Sequence, residues 1–144
     1  MNMKRSRDVM TRDLVYCLPD ETVANVAQLM KKEDIGPILI IDNDESKRLV
    51  GIVTDRDLAL KVVGEGRDPQ NTKVEDIMTV KIVTSRANDD VQKAMKAMAQ
   101  YQLRRIPVVD DNDRLVGIIS QADVATRVDE PKKTAEVVKE ISKN

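Results

Sequence analysis

The stretch that decides the fold is Gly51-Ile52-Val53-Thr54-Asp55-Arg56-Asp57, where a short apolar run ends on a hydroxyl residue and an acid follows three positions later. A similar stretch, Gly117-Ile118-Ile119-Ser120-Gln121-Ala122-Asp123, lies in the second half of the chain. The apolar run is typical of a buried strand, and the hydroxyl with its acid is typical of a capping box. Both stretches therefore predict a strand that runs directly into a helix.

These two stretches belong to an internal duplication that covers most of the 144 residues. Asp8-Val9-Met10-Thr11 returns as Asp76-Ile77-Met78-Thr79, at an offset of 78 − 10 = 68. The offset between Gly51 and Gly117 is 117 − 51 = 66. The second copy is therefore two residues shorter than the first. The difference falls between Asp42 and Arg48, a polar run where a turn can change length at little cost. The chain is therefore predicted to hold two copies of one unit.

The predicted boundaries are repeat 1 over 8–63, a polar linker over 64–75, repeat 2 over 76–128 and a C-terminal tail over 129–144. The tail carries one thin apolar stripe, which suits a last helix in a surface or dimer contact as well as a frayed end. Each repeat is too small to bury its apolar face well. We therefore predict an α+β fold in which two β-α-β-β-α repeats pack about a pseudo-twofold axis.

Each repeat predicts the order strand, helix, strand, strand, helix. The strands are expected at Leu14–Leu18, Ile38–Ile41 and Leu49–Val53, and again at Ile82–Ser85, Ile106–Val109 and Leu115–Ile119. The first helix of each repeat carries a core stripe at helical spacing: Val23, Val26, Ala27 and Met30, then Val91, Ala94, Met95 and Met98. Asp20 and Asn88 are the predicted N-caps, with Glu21, Asp89 and Asp90 in the first turns.

Composition excludes several classes of function. Charged residues make up 34% of the chain at a net charge of −1, so no concentrated basic face is available for duplex nucleic acid. Tyr16 and Tyr101 are the only aromatic residues, which gives poor stacking platforms for single strands. We therefore expect no nucleic-acid partner.

The chain has no histidine and a single cysteine, Cys17. This excludes Ser-His-Asp and Cys-His catalysis and an internal disulfide, and it removes the usual zinc ligands. Cys17 falls in a predicted strand and is expected to be a small buried residue. No apolar run follows the basic residues near Met1, so we predict neither a signal peptide nor a membrane span, and a cytoplasmic location.

The two hydroxyl-x-x-acid motifs have a structural and a functional interpretation. Taken singly, Thr54 with Asp57 or Ser120 with Asp123 is only a helix cap. The same geometry also favours an anion near the helix start, while an ionised Asp accepts hydrogen bonds from a vicinal diol such as ribose. Gly51 and Gly117 are expected to let a ligand approach the backbone closely.

The repeated unit resembles a cystathionine β-synthase (CBS) domain, and the tandem pair resembles a Bateman module. The resemblance rests on the Met-Thr start, the run from Leu103 to Asp110 and the two Gly-to-Asp motifs, in the same order twice. It implies a stand-alone regulatory protein that binds an adenosine-containing ligand in two clefts between the repeats, with no obligatory cofactor. AMP, ADP and ATP are the first expectation, and S-adenosylmethionine or a dinucleotide is the alternative ligand. A homodimer, formed through helices such as Val91–Ala99, and an unknown downstream protein are the implied partners.

In that family the motif Asp holds the ribose hydroxyls and the Ser or Thr contacts sugar or phosphate. Carried over, one cleft would be formed by Thr54, Arg56, Asp57, Thr79, Lys81, Ile82 and Leu103. The other would be formed by Thr11, Val15, Ile35, Gly36, Arg104, Arg105, Ser120 and Asp123. Ile118 is also among the predicted nucleotide-binding residues.

The repeats differ where a phosphate would be met, because Arg104 and Arg105 align with Gly36 and Pro37. The arginines either contact phosphate or are a solvated pair at a strand start. In repeat 1, Arg56 is the substitute cation. The Asp123 cleft is therefore the expected better phosphate site. An enzyme using Asp55, Asp57 and Asp123 to hold Mg²⁺ is disfavoured because the repeat separates these carboxylates, and a purely structural dimer remains an alternative.

Overall fold

The computed structural model describes residues 4–128. These residues form two compact units, one of residues 15–82 and the other of residues 4–14 together with 83–128. We call them the Asp57 unit and the Asp123 unit after the acid of each motif. The compact units divide the chain differently from the predicted sequence repeats. Residues 8–14 of repeat 1 lie in the Asp123 unit, and residues 76–82 of repeat 2 lie in the Asp57 unit. The predicted tail over 129–144 lies outside the described residues.

The helices and strands are numbered in chain order. They are α1 (Ser6–Val9), β1 (Tyr16–Cys17), α2 (Val23–Glu33), β2 (Ile38–Ile41), β3 (Leu49–Val53), α3 (Asp55–Asp57), β4 (Ser85–Arg86), α4 (Val91–Tyr101), β5 (Arg105–Val109), β6 (Leu115–Ser120) and α5 (Gln121–Arg127). Helix α3 continues as a π-helix over Leu58–Val63, and a 3-10 turn covers Val74–Asp76. The second helix of the motif is therefore partly π-helical in the Asp57 unit and regular in the Asp123 unit.

The two units have the same sheet topology. In each, the first strand pairs in parallel with the second, and the second pairs antiparallel with the third, in the orders β1-β2-β3 and β4-β5-β6. A register shift falls at the same place in both, between Ile40 and Ile41 and between Val108 and Val109. The order strand, helix, strand, strand, helix and the α+β class are thereby confirmed.

Each unit has its own aliphatic core, and the predicted helix stripes face it. Val23, Val26 and Met30 pack with the strands of the Asp57 unit, and Val91, Ala94, Met95 and Met98 pack with those of the Asp123 unit. Burial of each large side chain contributes about 1.5–3 kcal/mol. Ala27 is the exception because it is exposed, and Leu29 packs against the core instead. The Met- and Ala-rich face of α4, expected to suit a dimer contact, is occupied by the core of its own unit.

The helix N-caps are Thr22 and Asp90, so the predicted caps Asp20 and Asn88 are wrong. Thr22 Oγ1 accepts from the Asn25 amide at 3.2 Å, and Asp90 Oδ1 accepts from the Gln92 amide at 3.0 Å. Consequently neither first turn contains an acid. The reason is tertiary, because β-bridges from Lys73 to Thr22 and from Arg5 to Asp90 hold both cap residues in place.

The first strands are shorter than predicted. Only two residues of Leu14–Leu18 form β1, and the second copy begins three residues later than Ile82, at Ser85. Strand length here is set by pairing with Leu39–Ile40 and Val108–Val109, which the local pattern does not encode. Ile82 ends one unit, and the next residue begins the second segment of the other.

The turn that absorbs the two-residue difference is built the same way in both units. The amide of Asp42 donates to the Arg48 carbonyl at 2.9 Å, and the amide of Asp110 donates to the Arg114 carbonyl at 3.0 Å. Each Asp carboxylate also accepts from the Arg amide at 2.9 Å. In the longer turn the Ser46 hydroxyl donates to Asp42 and is the main cause that lowers the pKa of that carboxyl.

Residues 4–11 and 72–79 make equivalent contacts in their respective units, and we call them the entry segments. Each enters along the start of the first long helix, where the Ser6 amide donates to the Asp89 carbonyl at 2.9 Å and the Val74 amide to the Glu21 carbonyl at 2.8 Å. Each then lies beside the strand that carries the motif. Polar linker residues at 72–74 are therefore part of the Asp57 unit.

Candidate ligand site

In the Asp123 unit the capping box is formed and is closed by the entry segment. Asp123 Oδ2 accepts from the Ser120 amide at 2.9 Å, and Ser120 Oγ accepts from the Asp123 amide at 3.1 Å. Asp123 Oδ1 accepts from Thr11 Oγ1 at 3.0 Å. Asp123 as a residue is only 7% exposed, and both of its carboxylate oxygens have a hydrogen-bond partner. The predicted association of Thr11 with Asp123 is thus a direct hydrogen bond.

In the Asp57 unit the same box carries a cation. Asp57 Oδ2 accepts from the Thr54 amide at 2.9 Å and from Thr54 Oγ1 at 3.2 Å. Lys61 Nζ lies 3.3 Å from Asp57 Oδ1, where the side chain of Asp57 is 17% exposed and that of Lys61 is 42% exposed. Lys61 Nζ also donates to the Ile77 carbonyl at 3.1 Å. The carboxylate here is neutralised by a neighbour on its own helix.

Each motif strand pairs with its entry segment through the backbone of a threonine. Thr11 exchanges both backbone hydrogen bonds with Ile118, at 2.8 and 3.0 Å, and Thr79 does the same with Ile52, both at 2.9 Å. Thr11 and Thr79 therefore occupy equivalent places beside the two motifs. Only Thr11 has a described hydrogen bond from its side chain to the motif acid, since in residues 4–128 none is described from Thr79.

The motif glycines are covered by methionine, so their predicted role of admitting a ligand is wrong. A Cβ on Gly117 would lie 2.3 Å from Met10 Sδ, and a Cβ on Gly51 would lie 2.3 Å from Met78 Sδ. Both methionines belong to the Met-Thr pairs of the entry segments. The close approach that requires glycine is therefore made by the chain itself, and the Met-Thr and Gly-to-Asp motifs are two halves of one contact.

Two basic residues that sequence reasoning missed tie the motif helix to the entry segment. Lys61 donates to the Ile77 carbonyl, and Arg127 Nη1 donates to the carbonyls of Val9 at 3.1 Å and Met10 at 3.0 Å. Lys61 and Arg127 are 127 − 61 = 66 positions apart, as the motif acids are. That repeat of a basic residue four positions after each acid was a usable signal.

The predicted phosphate-side cations are exposed. Arg104 directly precedes β5 and Arg105 is its first residue. The Gln121 amide donates to the Arg104 carbonyl at 2.9 Å, and Arg105 is in register with Ser120. In the Asp57 unit, Gly36 stands in the place of Arg104. A Cβ added to Gly36 would lie 3.2 Å from Asp55 Oδ1, so the carboxylate of Asp55 is next to this position. At this one place the two units thus differ in the sign of the charge, with a pair of arginines in one and a carboxylate in the other.

The remaining predicted site residues are divided between the units. Val15, Ile35, Gly36, Lys81 and Ile82 belong to the Asp57 unit with Thr54, Arg56, Asp57 and Thr79, whereas Leu103 belongs to the Asp123 unit with Thr11, Arg104, Arg105, Ile118, Ser120 and Asp123. Lys81 and Arg56 are exposed. The predicted places of Val15, Ile35 and Gly36 at the Asp123 motif, and of Leu103 at the Asp57 motif, stay predictions.

Cys17 is buried, as predicted. Burial, together with the charge of Glu21, raises the pKa of its thiol from 9.0 to about 12. It lines a cavity of about 330 Å³ with Tyr16, Leu18, Glu21, Asn25, Val26, Leu29 and Asp44. None of the predicted nucleotide-binding residues lines this cavity.

Within residues 4–128, no group of three acidic or cysteine side chains is placed to hold a metal ion. No helix in the same part of the chain is both long and apolar enough to cross a membrane.

Comparison with known proteins agrees with the twofold pattern of these contacts. The model of the CBS domain family matches residues 7–64 and again residues 74–130. This chain is a CBS-domain protein. The two motif-and-entry-segment contacts are therefore features of two CBS domains in tandem.

Relatives of known sequence include other CBS proteins. The chain is 37% identical over 123 residues to the CBS domain-containing protein YhcV of Bacillus subtilis, covering 85% of this chain and 84% of YhcV. It is 36% identical over 117 residues to the uncharacterized protein MK0525 of Methanopyrus kandleri, covering 81% of this chain but only 59% of MK0525.

Solved structures show the same fold. Hypoxic Response Protein I, from Mycobacterium tuberculosis, was crystallised with two coordinated zinc ions; it matches with a TM-score of 0.75 and 33% identity over 87% of this chain and 99% of its own. The CBS domain pair of protein MJ0100, solved with 5′-methylthioadenosine and S-adenosyl-L-methionine, matches with a TM-score of 0.67 and 29% identity, over 86% and 94% of the two chains. YhcV and Hypoxic Response Protein I, matched over most of their length, are not named for an enzymatic activity.

Proposed function

We propose that this CBS-domain protein is a regulatory module without catalytic activity that binds an adenosine-containing ligand at the Asp57 and Asp123 motifs. The observation that carries the proposal is the repeated placement of an acid beside a hydroxyl residue at the end of a motif strand, in both units. The structure of the MJ0100 pair with two adenosine compounds supports the ligand class. The response to binding would pass to another protein or to a second copy of this chain.

The motif carboxylates have the capacity to hold a ribose. An ionised carboxylate offers about four lone-pair positions, and the described contacts of Asp123 use one on each oxygen. The vicinal hydroxyls of a ribose would add charge-assisted hydrogen bonds to the carboxylate, each contributing about 1.5–3 kcal/mol. We propose that Ser120 and Thr54 contact the 5′ substituent, with Arg104 and Arg105 adding positive charge near Ser120.

The two sites should therefore differ in the ligand they prefer. The Asp123 site has two exposed arginines at the start of β5, whereas the Asp57 site has Asp55 beside Gly36 at the equivalent place and has Lys61 on its acid. Phosphate groups should be attracted to the first and repelled from part of the second. We propose that AMP, ADP or ATP binds more tightly at Asp123 than at Asp57.

Titration calorimetry with adenosine, AMP and ATP tests the proposal on the parent chain and on Asp123→Ala and Asp57→Ala. The Asn variants of both acids accompany them, because the amide oxygen of Asn can still accept the hydrogen bond from the Thr54 or Ser120 amide and so separates loss of binding from loss of fold. The expected result is a larger loss of AMP affinity from the change at Asp123. Equal losses from the two changes would contradict the inequality of the sites, and no heat with any adenosine compound would contradict the function.

S-adenosylmethionine is the second candidate ligand, because the MJ0100 pair was solved with it. It carries a sulfonium cation in place of phosphate, so the double variant Arg104→Ala with Arg105→Ala should weaken AMP binding and leave S-adenosylmethionine binding unchanged or improved. A thermal-shift screen distinguishes both from a purely structural module. A ligand at a hundredfold excess over its Kd should stabilise the fold by about 2.7 kcal/mol, whereas a structural module should show no shift with any of them.

A further inference from the structure

In the Asp57 unit one ammonium group holds two parts of the site together. Lys61 Nζ lies 3.3 Å from Asp57 Oδ1 and donates to the Ile77 carbonyl at 3.1 Å. The first partner is the motif acid, and the second is the backbone of the entry segment 72–79. Any change in what Lys61 contacts at the acid is therefore felt directly by the entry segment.

In the Asp123 unit the same two contacts are made by two different residues. Thr11 Oγ1 donates to Asp123 Oδ1 at 3.0 Å. Arg127 Nη1 donates to the carbonyls of Val9 and Met10, at 3.1 and 3.0 Å. No contact of Arg127 with Asp123 is described in residues 4–128. A ligand at Asp123 can compete with Thr11 without disturbing the guanidinium that holds the entry segment.

The chemistry of an ammonium makes the shared arrangement sensitive to ligand charge. A lysine ammonium is a compact charge on a flexible stem, with three N–H donors and no acceptor. The Ile77 carbonyl is neutral and is the weaker of the two partners, since it lacks the Coulomb attraction between opposite charges that the Asp57 carboxylate adds. A phosphate that enters beside Asp57 would recruit Lys61 Nζ at the expense of the carbonyl, whereas an uncharged nucleoside would not.

We propose that Lys61 is a positioning residue that couples binding of a phosphorylated ligand at Asp57 to loosening of the entry segment at Ile77–Thr79. The coupling is confined to the Asp57 unit, because Arg127 holds the other entry segment independently of its acid. This inference rests on the proposed function, since it requires an adenosine ligand at Asp57. It adds which ligands produce a response and which backbone segment carries it.

Amide hydrogen exchange reads this coupling directly. The Thr79 and Ile52 amides donate to each other's carbonyls and report the state of one entry segment, and the Thr11 and Ile118 amides report the other. With AMP at saturation, exchange at Thr79 and Ile52 should be several-fold faster than with adenosine at saturation. Exchange at Thr11 and Ile118 should be the same with both ligands.

Variants at Lys61 separate coupling from simple support. Lys61→Met should speed exchange at Thr79 by about tenfold without ligand, as expected for loss of a hydrogen bond from a charged donor, and should abolish the difference between AMP and adenosine. Lys61→Arg retains a charged donor and should keep part of that difference. Lys96→Met, which removes an exposed lysine from α4, is the control of equal charge and should behave as the parent chain.

The outcomes distinguish the inference from the proposed function. Persistence of the AMP-to-adenosine difference in Lys61→Met, or an equal difference at Thr11, would overturn the coupling. Binding of both ligands in calorimetry with identical exchange at Thr79 would overturn the coupling alone and leave the proposed function intact. Absence of any binding would remove both.

Discussion

The Asp57 and Asp123 units have the same framework and different polar contacts within it. Both pack a methionine against the motif glycine, and both form the hydroxyl–acid capping box. Inside that framework, Ser6 Oγ and Ser85 Oγ of the Asp123 unit form a buried hydrogen bond at 2.6 Å. In the Asp57 unit, Val74 and Cys17 occupy the positions equivalent to these two serines. The comparison shows that backbone geometry fixes the motif residues, whereas the contacts around the acid are free to differ.

The difference also has a functional direction. Asp123 is held by a neutral hydroxyl and Asp57 by an ammonium, so the two acids present different net charge to a ligand. A duplicated site would be expected to bind two copies of one ligand equally. Here each motif instead has its own charge balance, and the proposed inequality of the two sites rests on that difference.

The largest expected effect tests the shared framework. Gly117→Ala would place a Cβ 2.3 Å from Met10 Sδ and 3.0 Å from Met10 Cβ, against a methionine that is 6% exposed. We expect a loss of about 2–3 kcal/mol in the free energy of unfolding, in the upper range for overpacking. Chemical denaturation measures it.

Gly51→Ala is the matched change in the other unit and should cost less, because Met78 is only half-buried and can move. In a Met10→Ala background the change Gly117→Ala should cost less than in the parent chain, since the contacts with Met10 Sδ and Cγ are removed. Equal costs in both units, or an equal cost in both backgrounds, would show that the methionine contact is not what requires glycine.

The next effect tests the buried serine pair. Ser6→Val leaves the Ser85 hydroxyl buried without its described side-chain partner and should cost about 2 kcal/mol, within the range for an unsatisfied buried polar group. The double change Ser6→Val with Ser85→Cys copies the pair found in the Asp57 unit and should be close to neutral. A double-mutant cycle measures the coupling, and additive effects would argue against it.

A smaller effect tests the contact between the entry segment and Asp123. Thr11→Val removes the hydroxyl that donates to Asp123 Oδ1 and should lower the free energy of unfolding by about 1 kcal/mol, the usual net contribution of one hydrogen bond. Thr79→Val is the matched control, and because Thr79 is exposed its change should be near zero. A similar loss from both would mean that the two threonines act through the backbone.

The smallest expected effect is on stability at alkaline pH and concerns Cys17, the residue equivalent to Ser85 of the other unit. It is absent at neutral pH. Its raised pKa means that the folded state favours the neutral thiol, so its contribution to stability is complete below pH 9.0 and is lost as the pH rises toward about 12. Cys17→Ala should abolish that alkaline loss. Unfolding followed from pH 8 to 11 tests this, and parallel curves for the two proteins would contradict it.

Several features of the fold could be predicted from the sequence because they depend on local pattern. The strands at Ile38–Ile41 and Leu49–Val53 are read from short continuous apolar runs, and the caps at Thr54 and Ser120 are read from a capping box. The caps at Thr22 and Asp90 could not be predicted, because a bridge from a distant segment fixes where each helix begins. The roles of the motif residues in ligand binding stay predictions.

The candidate site was predictable in its acids and hydroxyls and not in its cations. Thr11 was placed with Asp123 through a family resemblance, and the structure gives that pair a direct hydrogen bond. Lys61 and Arg127 were missed because a basic residue on an exposed helix usually has no structural role, and only the packed entry segment supplies the carbonyls that they contact.

The sequence by itself determined the duplication, the aliphatic cores, the order of strands and helices and the two motif acids. These follow from periodicity and from side-chain chemistry within a few residues. Only the tertiary structure decided that methionines cover the motif glycines, that the entry segments close each site, and that Asp57 is held by Lys61 where Asp123 is held by Thr11. Those contacts join residues far apart in the chain, and their geometry depends on the packing of the whole unit.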